Sequence, residues 1–382
     1  MTAIDLTFEG AEVLLPGGFS DAALALAEGV IADAPTGKRV DARGFRILPG
    51  IVDIHGDGFE KHLAPRRGAM TDMVSGMAAA EADLIASGIT TAVMAQFYSW
   101  EGGLRSPEFA RKFLDALDRG TEGRLIDLHA QLRFETHMLD DYDAVLDLVR
   151  QYAIRYVVFN DHLPHKRLDE GRKPPRLTGT ALKSGRSPEA HLKLMQDLHG
   201  RSDEVAGALL AFAPRLAEAG CRIGSHDDND PAQRSWFRAL GARISEFPET
   251  RAVAEAARTA GDAVIMGAPN VMRRGSHAGN VSADELIADG LCDALASDYH
   301  YAAVRLAVRE LVTRGMCSFE TGWSLVSAGP ARILGLTDRG TLKPGQRADI
   351  LVEDLRTGRI AAVIAAGRIA HMQGDFAARV VG

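Results

Sequence analysis

The sequence predicts an α/β fold: a (β/α)8, TIM-like barrel with a small β-sandwich domain formed by both chain termini. Three observations predict it. Eight short apolar runs, largely β-branched, alternate with helical patterns through the middle of the chain, as buried parallel strands and their crossovers do. Short strands broken by glycine turns stand at each end. No Gly-x-Gly-x-x-Gly follows the first of the eight runs, which disfavours the open doubly wound sheet. The chain has 382 residues, 46% of them hydrophobic, enough for a barrel and an accessory domain.

The elements follow in order. Residues 1–50 contain IDLTFEG, AEVLLPGG, ALALAEGVIADA and RGFRILPG, each an alternating segment punctuated by glycine. The eight barrel strands are predicted at 50–55, 89–96, 125–135, 155–160, 221–226, 242–246, 263–267 and 292–298. Helices are predicted to start at Ser106-Pro107-Glu108 and Ser187-Pro188-Glu189, where serine caps and proline takes the first helical position. The stretch 163–187 is polar, basic and rich in glycine and proline, and is expected to be a long loop on the face where strands end, either a lid or substrate clamp or a solvated excursion without chemical consequence. ADILVEDL and RIAAVIAAGRIAHM complete a terminal sheet. The expected division is therefore residues 1–50 plus 338–382 as the β domain, with the barrel at 51–337 inserted between them.

The formal charge is −7, from 44 basic and 51 acidic residues spread along the chain. No basic stripe suits nucleic acid, so that partner is not expected. Cys221, Cys292 and Cys317 are too few and too scattered for a disulfide framework or a zinc knuckle. The amino-terminal stretch carries acids where a secretory leader carries lysine or arginine, and no apolar run reaches membrane-spanning length. A reducing cytoplasm without membrane attachment is the expected setting. The sequence leaves the oligomeric state open, a homo-oligomer included.

Several strand ends finish in metal-ligand residue types. The first ends IVDIHGDG, offering His55 and Asp57, which as alternate residues on an extended segment point the same way. The third offers Glu135, the fourth His162, the fifth His226 and the eighth Asp298. Each alone is weak: a histidine after a strand is more often structural, Asp57 would serve as a turn cap, and Asp298 as the cap of the next helix. Together, three imidazoles and three carboxylates at one end of a barrel suit a binuclear centre with ions about 3.5–4 Å apart. Two divalent ions are expected on His55, Asp57, Glu135, His162 and His226, with Glu135 bridging. Zinc suits the imidazoles best, and the carboxylates would also accept manganese. An unliganded carboxylate nearby would take the proton of an attacking water.

HGDGFEKH after LPGIVDI, and the tail PARILGLTDRGTLKPGQRADILV, resemble the amidohydrolase superfamily. In that tail Gly340, Pro344, Gly345 and Asp349 would form the turn returning the chain to the small sheet domain. The superfamily's usual His-x-His is here His55-x-Asp57, which points away from an ordinary deacetylase or deaminase. The departure is similar to one branch, as are SGITTA, FNDH, IGSHDD, ISEFP, MGAPNVMRRGSHAGNVSA and ALASDY. That branch hydrolyses the 5-triphosphate of a ribosyl methylphosphonate to the 5-phosphate and diphosphate, in the carbon–phosphorus lyase pathway. The resemblance runs through essentially the whole chain and implies that Asp298 accepts the proton from the attacking water.

A small, anionic, phosphorylated substrate needs cationic donors, arginine above all. Lys61, Arg66 and Arg67 follow the first strand, and Arg273 and Arg274 follow the seventh, beside Ser276, His277 and Asn280. The Gly-Ser-His-x-Gly-Asn segment there is turn-forming and rich in amide donors, fit for an anion nest. The cluster Lys166, Arg167, Arg172, Lys173 and Arg176 reads better as solvated surface. An amidohydrolase acting on an amide or cyclic amide is the competing reading, and such an enzyme with a neutral substrate would not need these basic loops. A non-catalytic scaffold would be expected to have lost some metal positions, and all six are present.

Overall fold

A computed structural model describes residues 3–66, 69–70, 72–275 and 279–382. The first strands are β1 (Leu6–Glu9), β2 (Glu12–Leu15), β3 (Gly18–Ser20), β4 (Leu24–Ala27), β5 (Val30–Ala32), β6 (Lys38–Asp41) and β7 (Phe45–Pro49). Then come β8 (Ile51–Gly56), β9 (Ile89–Tyr98), β10 (Asp127–Glu135), β11 (Tyr156–Asn160), β12 (Arg222–His226), β13 (Ile244–Glu246), β14 (Ala263–Gly267) and β15 (Ala294–Ala296). The last are β16 (Ile350–Asp354), β17 (Ile360–Ala365) and β18 (Arg368–Met372).

Strands β8 to β15 form one sheet in sequence order, and the registered pairs run parallel. All eight overlap the strands read from the sequence. A parallel bridge between Gly56 and Asp298 brings the end of β8 against the residues after β15, so the first and last strands meet. With helices between the strands, this is the expected (β/α)8 barrel. All ten residues of β9 are buried, which is why such strands read as unbroken apolar runs.

The termini make two further sheets. One is β5-β4-β1-β6, and the other is β18-β17-β16-β7-β2-β3, in which β7 from the first 50 residues pairs antiparallel with β16. The chain ends thus share a sheet, as expected. Phe8, Ile47, Ile350 and Val352 fill the core beneath, with Phe376 set edge-on to Phe45 at 5.1 Å. The turn into β16 is fastened by Asp349, whose Oδ1 accepts from Ala366 N at 2.8 Å and from Arg347 Nε at 2.9 Å. Gly340 has φ +90° and no room for a side chain, since a Cβ would meet Ala328 Cα at 2.9 Å.

Both anticipated helix starts occur, at Pro107–Arg119 and Pro188–His199, with Ser106 and Ser187 hydroxyls accepting from Phe109 N and Ala190 N at 3.1 Å. The stretch 163–187 differs from a plain loop. It contains helices His165–Asp169 and Leu177–Lys183, the second pinned by Leu177 and Ala181 one turn apart and both buried. Among the described residues no helix is long and apolar enough to cross a membrane. Cys221, Cys292 and Cys317 form no disulfide among the described residues.

By compactness the chain divides into two units: Met1–Met94 with Arg119–His129 and Ile265–Gly382, and Ala95–Asp118 with Ala130–Val264.

Candidate metal centre and anion loops

In the first unit, β8 places His55 in the interior, with its side chain fully buried. Two backbone bonds lock the neighbouring strand ends: Asp298 N donates to His55 O at 3.0 Å, and Asp57 N donates to Asp298 O at 2.8 Å. Below them Asp53 is buried and accepts from Ser297 N at 2.9 Å and Ser297 Oγ at 2.5 Å. Gly56 must be glycine for this junction to close, because a Cβ would lie 2.6 Å from Asp53 Oδ2 and 2.7 Å from Ser297 Oγ. Asp298 does not cap the following helix, Ala303–Thr313, whose cap position is Ala302. Its backbone is left-handed instead, with φ +55°.

The basic residues of this unit have varied fates. Lys61 Nζ pairs with Asp83 Oδ2 at 2.8 Å and lies 5.6 Å from the Tyr301 ring centre. Arg66 is exposed. Arg274 caps the helix Ala268–Arg273 with φ +58° and pairs with Glu310 at 3.0 Å. Arg273 lays its guanidinium 5.1 Å from the Tyr299 ring centre, a cation–π contact. Asn280 is half-buried nearby in sequence. Arg67, Ser276 and His277 lie outside the described residues.

In the second unit β10, β11, β12 and β13 run side by side and carry their final residues to one edge. Glu135 is fully buried. Its Oε1 meets His162 Nδ1, while Oε2 accepts from His162 N at 3.1 Å and from Trp100 Nε1 at 3.3 Å. With Glu101 these two residues offer three ligand atoms within 4.8 Å of one another. One strand further on, His226 stands in register with Glu246, which is fully buried. Ligand atoms of these two lie within 4.8 Å. Glu246 Oε1 also accepts from Gln131 Nε2 at 2.7 Å and from the Tyr156 hydroxyl at 2.6 Å.

The rings of His162 and His226 are 6.4 Å apart, centre to centre. Arg133 faces the second of them. Its Nη2 donates to His226 Nε2 at 2.9 Å, and its guanidinium stacks 3.8 Å from the Phe97 ring centre. Burial first, and then the Arg133 charge, hold the His226 imidazole below its ordinary pKa, hence neutral, the form a metal requires. A guanidinium carries only donors, so an ion taking that nitrogen displaces it. The donor set is mixed imidazole and carboxylate, the chemistry of zinc and manganese sites.

The left-handed backbone of Asp298 has two counterparts. Asp227 (φ +56°) follows β12, and Phe247 (φ +52°) follows β13. These conformations are costly for residues with side chains and concentrate where function over-rides local preference. Phe247 uses its turn to set its ring edge-on against His226, with centres 5.0 Å apart.

Glu246, Glu101 and Arg133 were not singled out from the sequence. Glu246 had a signal, since ISEFP ends a strand in a carboxylate as the other candidates do. Glu101 and Arg133 had none: one lies three residues beyond its strand, and the other is interior to one.

Comparison with known proteins adds the following. The chain is 31% identical over 339 residues to the alpha-D-ribose 1-methylphosphonate 5-triphosphate diphosphatase of Escherichia coli (strain K12), a match covering 85% of this chain and 87% of that protein. No family model matches. Among solved structures it is similar to N-acetylglucosamine-6-phosphate deacetylase from Pasteurella multocida, with TM-score 0.63, 11% identity and 96% and 99% of the two chains covered. It is also similar to a β-aspartyl dipeptidase from Fervidobacterium islandicum AW-1, with TM-score 0.61, 14% identity and 97% and 98% covered. A triazine hydrolase variant matches with TM-score 0.61, 16% identity and 99% and 98% covered. These three share the fold.

Proposed function

Because the chain belongs to the alpha-D-ribose 1-methylphosphonate 5-triphosphate diphosphatase family of the amidohydrolase superfamily, we propose that it hydrolyses the triphosphate of that ribosyl phosphonate, releasing diphosphate and leaving the 5-phosphate. The observation that carries this reading is the match over 85% of the chain to the Escherichia coli enzyme.

The donors we assign to two divalent ions, zinc first and manganese second, are His55, Asp57, Glu135, His162 and His226, with Glu246 added. Ions bound there supply Lewis-acid polarisation of the phosphoryl oxygens and lower the pKa of water. The protein's own residues do the rest. Asp298 is the proton acceptor: it follows the last barrel strand, its backbone bonded to those of His55 and Asp57. Arg273 is the foremost anchor for the distal phosphates, since among the described residues its charge meets an aromatic face and no carboxylate. Arg274 and Lys61 come second, because each already holds an acid. Arg66, Arg67, Ser276, His277 and Asn280 complete the substrate-binding assignment.

The test is a substrate panel with metal-loaded enzyme: the ribosyl methylphosphonate triphosphate, other ribose 5-triphosphates, and N-acyl amides. Release of diphosphate from the first, without amide turnover, is the expected result. Turnover of an amide with an intact triphosphate would overturn it.

A further inference from the structure

Beyond the centre just described, a second cluster of metal-ligand side chains lies within the second unit. His137, Asp161 and His165 each offer a ligand atom, all within 4.8 Å of one another. None of them shares a donor atom with the catalytic assignment. His137 Nδ1 faces Asp161 Oδ1 at 3.5 Å, and His165 Nε2 faces Asp161 Oδ2 at 2.9 Å. A tetrahedral ion with bonds of about 2.0–2.2 Å has ligand–ligand edges of about 3.3–3.6 Å. The cluster is already near that size.

The hydrogen-bond network points to the ring nitrogens that an ion would take. Ser202 donates its one hydroxyl proton to His199 O at 2.7 Å. Its oxygen must then accept at 3.1 Å from His137 Nε2, so a neutral His137 carries its proton on Nε2 and has a lone pair on Nδ1. That Nδ1 is buried, makes no hydrogen bond, and points its lone pair at a carboxylate. The other histidine is fixed through a relay. Asp169 Oδ1 accepts from His199 Nε2 at 2.9 Å, leaving His199 Nδ1 to accept from His165 Nδ1 at 2.8 Å. In the metal-free chain His165 Nε2 donates to Asp161 Oδ2 at 2.9 Å, so an ion bound there takes the place of that proton. In each histidine the remote nitrogen has an acceptor, the outer-sphere arrangement that orients metal-ligating imidazoles.

We propose that His137, Asp161 and His165 bind a further metal ion outside the catalytic centre, a single zinc ion with solvent in the fourth position, backed by the His199–Asp169 pair. The ion would tie the helix His165–Asp169, at the root of the 163–187 stretch, to the ends of β10 and β11. Its role is to hold that stretch in place rather than to touch substrate.

The experiment uses the full chain, stripped with chelator, reloaded with zinc and desalted. Zinc is counted by mass spectrometry in wild type and His165→Phe, and zinc-edge anomalous density is collected from wild-type crystals. The expected result is an anomalous peak bonded to the three residues, the loss of one zinc equivalent in His165→Phe, and faster amide exchange confined to 163–187 in that variant. Should His165→Phe not fold, His199→Phe keeps all three donors and is expected to weaken zinc at this site about 10–100-fold in competition with a chromophoric chelator. No peak at these residues, equal zinc in both proteins, or occupancy only at millimolar zinc overturns the proposal.

Discussion

Replacing Arg234 by methionine should cost about 3–5 kcal/mol at pH 7, the range for removing one partner of a buried ion pair. Arg234, in the helix Pro231–Ala239, is 1% exposed. Its Nη1 donates to Ser225 Oγ at 2.8 Å, Asp228 Oδ2 at 3.1 Å and Ile244 O at 3.3 Å, and its Nη2 donates to Ala242 O at 2.6 Å. Ser225 and Ser245 complete the knot, donating to Asp228 Oδ2 at 2.7 and 3.0 Å. These serines immediately precede His226 and Glu246, so the knot sets both strand ends. Methionine keeps the stem and removes the charge, stranding the Asp228 carboxylate. That acid is already pushed up by burial, against the opposing pull of Arg234 and the two serines. In the variant it escapes by taking a proton. From its ordinary value of 3.8 this costs about 4 kcal/mol at pH 7, at about 1.36 kcal/mol per unit, in agreement with the range above. The sign follows: a carboxyl whose folded pKa is raised binds its proton more readily folded than unfolded. The defect therefore shrinks by about 1.4 kcal/mol per pH unit as pH falls from the raised folded value toward the unfolded one. Urea unfolding of wild type and Arg234→Met at pH 7 and pH 5 measures this. A cost under 1 kcal/mol at pH 7, or one that does not shrink at pH 5, would refute the reasoning. So would failure of Asp228→Asn to recover stability in the double variant.

Four further outcomes are expected. Asp298→Asn keeps its metals and its melting temperature but loses turnover by about 10²–10⁴-fold; a folded, loaded variant with near-normal turnover removes Asp298 from the mechanism. Glu246→Gln lowers bound metal per chain after desalting, which elemental analysis reads directly. Arg273→Ala raises the Michaelis constant for a triphosphate more than Arg274→Ala does, and equal, unchanged constants would show that neither holds the anion. Gly56→Ala lowers unfolding free energy by about 1–3 kcal/mol, because its methyl group is forced against Asp53 and Ser297.

The barrel was legible because each strand is buried on both faces and announces itself as an apolar run, and because turns between elements are marked by glycine, serine and proline. The strand-end residues His55, Glu135, His162 and His226 were legible for the same reason: a polar, chemically able side chain interrupts such a run at its carboxyl end. Glu246 was legible by the same rule, since its strand, read at 242–246, ends in that carboxylate, but it was passed over. Arg133 escaped because interior arginine has no local signature; what makes its burial tolerable is stacking on Phe97 and a bond to His226, 93 positions away. Helices inside 163–187 escaped because their polar composition resembles that of a loop, and only Leu177 and Ala181 hold the second one down. The commitments of Lys61 and Arg274 to Asp83 and Glu310 likewise depend on tertiary neighbours.

Phe247 has a consequence for how this protein would evolve under heat. An aromatic residue at φ +52° stores about 1–3 kcal/mol that glycine or asparagine would release. Selection for survival at high temperature alone would favour that exchange, and the gain would come with the loss of the ring that braces His226. Thermal robustness and an ordered imidazole are thus opposed at a single codon.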